Sequence, residues 1–342
     1  MTSATPTPAT PTPATPTPAE KDAVPAQLRT RPLGRSGIRV SEIGLGAWQL
    51  GARREWAGPD EEESYRIIDE AVRLGCTFID TASPYADGRS EEYIGRALEG
   101  RRDQVVLCTK FGFWAPGYQE DHSPDRIEEA LELSLTRLRT DYLDVALIHS
   151  PPYELMDGRT VAHYRILQRL LDAGTIRAYG VADRASNADE LRRIVHTTGS
   201  SVLETNINVL EQHQLDVIAE AAEAGVGVVV RTPLASGWLS GKYDRDSDFP
   251  NDDRRVWWTR AQVREKAAAA QRFRGLVPEG TTMTHAALRF LLAQPEISTV
   301  IPGAKSVAQL RHNVAAAQGT LPAATVAAIR DFGRRPAPGQ HP

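Results

Sequence analysis

Apolar and polar positions follow two periods in this chain, and the two periods take turns. Short runs rich in Val, Ile and Leu are each followed by a longer stretch in which apolar residues recur every three or four positions. The first kind of run reads as a strand buried on both faces and the second as an amphipathic helix. Strands are expected at 43–46, 77–80, 105–109, 143–148, 176–181, 202–206, 226–231 and 298–301. Helices are expected at 61–74, 90–98, from 123 onward, and at 161–171, 188–195, 215–224, 283–293 and 307–316. In the first of these, Ile67, Ile68, Ala71, Val72 and Leu74 share one face. The third opens on Ser123-Pro124-Asp125, a cap residue, a first-position proline and a first-turn acid.

Eight strand–helix units in succession require parallel strands. They predict an α/β fold, a closed (β/α)8 barrel of TIM type, with a doubly wound open sheet as the alternative that alternation alone leaves standing. Two segments stand outside the repeat. Residues 29–40 hold two short apolar pieces about Ser36-Gly37, expected as an N-terminal β-hairpin closing the barrel floor. Residues 240–260 form a long loop after the seventh strand, rich in Asp, Arg and aromatic residues (Tyr243, Phe249, Trp257, Trp258), expected to overhang the mouth as a substrate wall or lid.

Composition sets the limits of the globular part. Residues 2–19 are almost entirely Thr, Pro and Ala, without large side chains to bury, so 1–27 is expected to be a disordered tail. The folded unit is expected over 28–333, with 334–342 as a flexible C-terminus. The tail lacks the basic start and apolar centre of a secretory signal. A net charge of −4 gives no basis for nucleic acid or an anionic membrane as partner. No apolar run approaches the roughly 18–20 residues that span a bilayer. The two cysteines, Cys76 and Cys108, read as small buried residues of a cytoplasmic protein, not as a metal site.

Three strands end on residues with a common use. The second reaches Asp80, the third Lys110 and the fourth His149, and Tyr85 follows Asp80 by five positions. Polar residues at the C-terminal ends of successive strands mark the mouth of a β/α barrel. Reducing a carbonyl needs a hydride at carbon and a proton at oxygen. Tyr85 can donate the proton, Lys110 lowers the phenol's pKa, Asp80 keeps Lys110 charged and oriented, and His149 hydrogen-bonds the carbonyl oxygen. A strand-terminal Asp is also a common cap, and a lone Tyr or Lys is ordinary core or surface material. Their convergence at one end of consecutive strands is what favours the chemical reading.

Residues 78–95 (Phe-Ile-Asp-Thr-Ala-Ser-Pro-Tyr-Ala-Asp-Gly-Arg-Ser-Glu-Glu-Tyr-Ile-Gly) resemble the signature of the aldo-keto reductase superfamily. Cys108-Thr-Lys-Phe-Gly, Asp141-Tyr-Leu-Asp-Val-Ala-Leu-Ile-His and Val300-Ile-Pro-Gly-Ala-Lys are similar to its other motifs, in the family's order, over about 30–316. The resemblance implies a barrel, NADP(H) bound in extended form, a catalytic tetrad at Asp80, Tyr85, Lys110 and His149, and a small-molecule carbonyl substrate lined by Trp48, Tyr85, Trp114 and His149. Cofactor contacts are implied at Gly46, Ala47, Trp48 and Asp80, and in the loop bearing Thr232, Pro233, Leu234, Ser236, Gly237 and Lys242. At the phosphate end they are implied at Gly303, Lys305, Gln309 and Asn313, with Ser306 as ligand or helix cap.

The chain departs from the family where relatives hold the nicotinamide carboxamide with Ser-Asn and Gln. Here Ala182, Asp183 and Glu204 occupy those positions, and Arg231 stands where many relatives stack an aromatic. Carboxylates accept hydrogen bonds but do not donate them, and two acids in one pocket call for a cation, for which Arg231 is the candidate. Lys305 and Arg311 favour NADP over NAD. A cofactor-binding sensor subunit, like the family's potassium-channel β subunits, and a redox-neutral enzyme that keeps its NADP bound are the alternatives to a reductase. Trp238, Tyr118 and the arginines Arg53 and Arg54 also fall in loops expected at the mouth.

Overall fold

The computed structural model describes residues 28–52, 56–158, 161–184 and 187–334. The expected tail over 1–27, Arg53 and Arg54, and 335–342 of the expected flexible C-terminus lie outside the described residues. Two short strands come first, β1 (Thr30–Pro32) and β2 (Arg39–Ser41), paired antiparallel with Thr30 opposite Ser41. The chain then lays down β3 (Leu45–Gly46), β4 (Phe78–Asp80) and β5 (Val106–Phe111), makes a second antiparallel pair from β6 (Phe113–Trp114) and β7 (Gln119–Glu120), and continues with β8 (Leu143–His149), β9 (Ile176–Ala182), β10 (Val202–Asn206), β11 (Gly227–Arg231) and β12 (Ile297–Val300).

The eight strands other than β1, β2, β6 and β7 form one curled parallel sheet in chain order. Its two outer strands face each other. Ile43 bridges Val300 and Gly46 bridges Gly303, both parallel, and the Gly44 amide donates to the Val300 carbonyl at 2.9 Å. The continuous Val, Leu and Ile content of these strands is accounted for by apolar neighbours on both faces. Leu33, Ile38 and Val40 pack with Phe78, Val145, Leu147, Val202 and Val229 in one cluster. Arg35, between β1 and β2, donates its amide to the Gly225 carbonyl at 2.7 Å, which places this pair at the N-terminal ends of the sheet strands.

Helices α1 (Glu61–Arg73), α2 (Arg89–Ala97), α3 (Ile127–Leu138), α4 (His163–Asp172), α5 (Ala188–Thr197) and α6 (Leu215–Glu223) follow successive strands, and α7 (Arg260–Arg274), α8 (Met283–Leu292), α9 (Val307–Ala315) and α10 (Ala323–Arg334) complete the chain. Two of these contradict the sequence reading. Helix α7 lies where no helix is expected; its buried stripe is Val263, Ala267, Ala270 and Phe273, half of it alanine, which a count of large apolar positions passes over. Thr259 and Gln262 form a capping box at its start. Helix α10 was not expected either. Ser123 also fails as a side-chain cap: a 3₁₀ turn, Pro124–Arg126, precedes α3, and the Ser123 amide instead donates to Asp121 Oδ1 at 2.9 Å.

One glycine sets the site's geometry. A Cβ on Gly180 would lie 1.9 Å from the Val202 carbonyl oxygen, so only glycine lets β9 and β10 approach as they do. At the other end of that contact the Asp183 amide donates to the Glu204 carbonyl at 3.0 Å. Among the described residues no helix is long and apolar enough to cross a membrane.

Candidate active site

Parallel register carries three polar side chains to one end of the sheet. Asp80 closes β4 opposite Cys108, Lys110 on β5 pairs with Leu147, and His149 closes β8 opposite Ala182. The Lys110 ammonium donates to Asp80 Oδ1 at 2.5 Å and to the Thr81 carbonyl at 2.9 Å. Tyr85 arrives from the loop after β4. Ala86 and Asp87, with φ of 54° and 57°, turn that loop through the left-handed region just beyond it. Its ring stacks on Trp48 at 5.8 Å, meets His149 edge-on at 6.0 Å, and has the Lys110 nitrogen 5.3 Å from its centroid. The four residues singled out from sequence therefore share one pocket.

Their acid–base states follow from burial. Burial pushes the Tyr85 phenol up from its ordinary value, and Asp80 and Glu204 add to the rise, while Lys110 and Arg231 pull it down. The expectation that Lys110 lowers the phenol's pKa thus holds for the pairwise effect and not for the sum, because desolvation is the larger influence. Burial also pushes His149 well below the usual imidazole range, with Lys110 and Arg231 acting in the same direction, so the ring is neutral near pH 7. Lys110 lies well above the ordinary lysine value: burial opposes its charge, but Asp80 and Glu204 overcome it.

The acids at the departed positions sit in the same pocket. Glu204 Oε2 lies 3.3 Å from the Lys110 nitrogen. Arg231 approaches Asp183 Oδ1 at 3.0 Å and Glu204 Oε1 at 3.9 Å, and donates to the backbone carbonyls of Glu204 and Asp183 at 3.1 and 2.9 Å. Arg231 is the intervening cation that two neighbouring acids require. Ala182 is buried in the interior cluster. Asp80, Cys108 and Glu204 offer ligand atoms within 4.8 Å of one another, but the Lys110 ammonium already sits against both carboxylates.

The β6–β7 pair forms one wall. Phe113 meets the His149 ring at 5.1 Å, Ser83 Oγ donates to the Phe113 carbonyl at 2.7 Å, and Trp114 lies under the Arg126 guanidinium at 4.3 Å. His122, which sequence reading missed, bonds the His149 carbonyl through Nε2 at 3.0 Å. The loop after β11 is held by its own aromatics and still reaches the pocket. Trp238, Tyr243, Phe249 and Trp258 pack on one another at 5.3–6.1 Å, with Trp238 fully buried, so they anchor the loop, while the Arg254 guanidinium lies 4.6 Å over the Trp48 ring and Trp257 is 72% exposed. Asp253 and Arg255 pair inside this loop at 2.6 Å, and Arg255 reaches the Ser236 carbonyl at 3.1 Å. Ser236 and Gly237 lie at positive φ, Thr232 bonds Asn206 Oδ1 at 2.7 Å, Pro233 and Leu234 link them, and Lys242 is exposed.

The end of the site at α9 is more occupied than its sequence suggests. Ser306 is the helix cap, accepting from the Gln309 amide at 3.2 Å. Gln309 accepts from the Lys305 amide at 2.9 Å, and Glu63 of α1 accepts from the Val307 amide at 2.9 Å. Arg311 donates to Glu70 at 2.7 Å, and Glu70 is held down to about 2, by Arg73 and then Arg311. Asn313, expected against adenine, is buried and donates to the Gly303 carbonyl at 3.2 Å, fixing that turn. Lys305 keeps its ammonium 5.3 Å from the Trp56 ring. Gly46 and Ala47 lie at the edge of the pocket, the Ala47 amide donating to the Asp80 carbonyl at 2.8 Å. No local sequence signal marks Glu63 or Glu70, because both reach α9 across a helix–helix contact.

The model of the Aldo/keto reductase family matches residues 42–334. The chain belongs to this family. Among solved structures, aldo-keto reductase AKR11C1 from Bacillus halodurans in its holo form is 29% identical, with a TM-score of 0.75 over 92% of this chain and 99% of that one. Among curated relatives, the NADH-specific methylglyoxal reductase of Escherichia coli is 31% identical over 88% of this chain and 97% of its own length. Aldo-keto reductase yakc [NADP(+)] of Schizosaccharomyces pombe is also 31% identical, covering 88% and 90%. As an aldo-keto reductase the chain is an oxidoreductase of a family that uses nicotinamide cofactors.

Proposed function

We propose that this aldo-keto reductase reduces an aldehyde or ketone to an alcohol with NADP(H), on a closed (β/α)8 barrel in the cytoplasm. The observation that carries the reading is the convergence of Tyr85, Lys110, Asp80 and a neutral His149 in one pocket. The bound dihydronicotinamide supplies the hydride that reaches the carbonyl carbon. Tyr85 gives its phenolic proton to the carbonyl oxygen, and the phenolate left behind is stabilised by Lys110, which Asp80 and the Thr81 carbonyl hold in place. A neutral imidazole at His149 donates a hydrogen bond to the same oxygen without competing for the proton. Trp48 and Trp114 bound the substrate's space.

The unpartnered acceptors fit the NH₂ group of the cofactor's carboxamide. Both carboxylate oxygens of Asp183, Glu204 Oε2 and His149 Nδ1 are buried without a hydrogen-bond partner among the described residues. The Arg231–Asp183 approach is an ion pair that is not aligned as a hydrogen bond, so the acids keep lone pairs for an incoming N–H. Of the two cations that favour a 2′-phosphate, Arg311 is engaged by Glu70 and Lys305 remains. The test is NADPH oxidation against aromatic, aliphatic and sugar carbonyls, with Tyr85→Phe alongside. Turnover that falls at least a hundredfold in Tyr85→Phe while NADPH still binds is expected; NADPH bound tightly with no turnover on any carbonyl would overturn the reading in favour of a sensor subunit.

A further inference from the structure

Three acids and two cations crowd the pocket, and their pairing leaves one acid over. Lys110 bonds Asp80 at 2.5 Å and Arg231 stands 3.0 Å from Asp183, whereas Glu204 lies against Asp80 and has longer contacts to both cations, 3.3 Å to Lys110 and 3.9 Å to Arg231. Three acids against two cations carry one net negative charge when all are ionised. Glu204 and Asp183 are buried, with three carboxylate oxygens lacking hydrogen-bond partners among the described residues. Lys110 touches Glu204 and lies 5.3 Å from the Tyr85 ring centroid, so this charge sits directly beside the reacting centre. A hydride donor serving a carbonyl held by Tyr85 and His149 must bring its ring to within about 3–3.5 Å of the carbonyl carbon, which places it against the cluster. That ring carries a positive charge when oxidised and none when reduced.

We propose that Glu204 and Asp183 make this pocket selective for the oxidised, cationic form of the nicotinamide cofactor, with Glu204 as the acid left unneutralised to carry the preference. The proposal rests on the reading of the site as a nicotinamide-dependent oxidoreductase. It concerns the relative affinity of the two redox forms and invokes no step of the reaction. The Asn and Gln implied at these positions by the family resemblance would be neutral, so the acids give the cofactor a charge to distinguish.

The groups facing Glu204 are Asp80 on β4, Tyr85 beyond it, Cys108 and Lys110 on β5 and Arg231 on β11, which also pairs with Asp183 after β9. Burial and Asp80 push Glu204 up to about 7, against the pull of Lys110 and Arg231. Cys108 and Tyr85 are both raised by burial and stay neutral through this range. Below pH 7 Glu204 is mostly protonated and the cluster is neutral; above it the extra charge appears. If the oxidised ring binds only the ionised form, the binding-competent fraction rises from about a tenth at pH 6 to about nine tenths at pH 8, roughly tenfold in affinity. The reduced ring follows no such trend. Ionisation of the cofactor's own phosphates is common to both forms and cancels in their ratio.

The experiment measures Kd for NADP⁺ and NADPH by tryptophan fluorescence at pH 6 and pH 8, for the wild-type chain, Glu204→Gln and Asp183→Asn. In the wild type, Kd(NADPH)/Kd(NADP⁺) is expected to rise about tenfold between the two pH values. Glu204→Gln is expected to abolish the rise, and Asp183→Asn to lower the ratio at both pH values while keeping the slope. A flat wild-type ratio, or a slope that survives in Glu204→Gln, overturns the proposal and leaves the proposed function intact. Failure of both forms to bind the wild type overturns the proposed function and this inference together. Should Glu204→Gln not fold, the wild-type slope and the Asp183→Asn offset decide the matter.

Discussion

Replacing Lys110 by Met removes the cation from the proposed proton donor while keeping the length of the side chain. The ammonium lies 5.3 Å from the Tyr85 ring centroid. At an effective dielectric of about 20, a unit charge at that distance stabilises a phenolate by about 3 kcal/mol. That corresponds to roughly two orders of magnitude in the rate of proton donation. The substitution also strips Asp80 and Glu204 of their shared partner at 2.5 and 3.3 Å, and their remaining charge works in the same direction, against a phenolate. The expected result is a fall of at least a hundredfold in the single-turnover rate of NADPH oxidation at saturating carbonyl, followed by stopped flow, with NADPH affinity changing far less. A Lys110→Met protein that folds, binds NADPH and turns over within threefold of the wild type would refute the argument that electrostatic support from Lys110 drives proton transfer.

Two further outcomes follow from the same cluster. Arg231→Leu leaves the buried Asp183 without its 3.0 Å partner, and is expected to cost about 3–5 kcal/mol in urea unfolding; adding Asp183→Asn should recover most of that loss, and a single-variant cost under about 1 kcal/mol would contradict a buried ion pair there. The folded-state value of Glu204, about 7, lies above its ordinary 4.5, so its contribution to stability is present below pH 4.5 and is lost as pH rises through 7. The loss amounts to about 3 kcal/mol, and thermal melts should show Glu204→Gln gaining on the wild type between pH 5 and 8.

The eight strands were legible because each is apolar on both faces, a pattern that no exposed loop or amphipathic helix imitates. The three polar residues toward their ends were legible for the same reason: Asp80, Lys110 and His149 interrupt apolar runs at matching places, and parallel register makes matching places neighbours. Helix α7 was hidden because alanine makes up half of its buried stripe. The aromatic loop was legible only in part, because hydrophobicity says that Trp238 and Phe249 will be covered, but not whether by substrate or by each other. Arg311 looked like a phosphate ligand because its partner, Glu70, lies 241 positions away.

The wall of the pocket has a property that its small size conceals. Ser83 and Asp87, on either side of Tyr85, hold the Phe113 carbonyl at 2.7 Å and the Gly117 amide at 3.1 Å, and His122 is bonded to the backbone of His149. The wall and Tyr85 are therefore tied to one short span of chain. Hydrogen exchange of the Gly117 amide and of amides around Tyr85 should report a single shared opening. If Tyr85 is the proton donor proposed above, a substrate too wide for the gap would displace the acid along with the wall, so that selection by size would act through the acid itself.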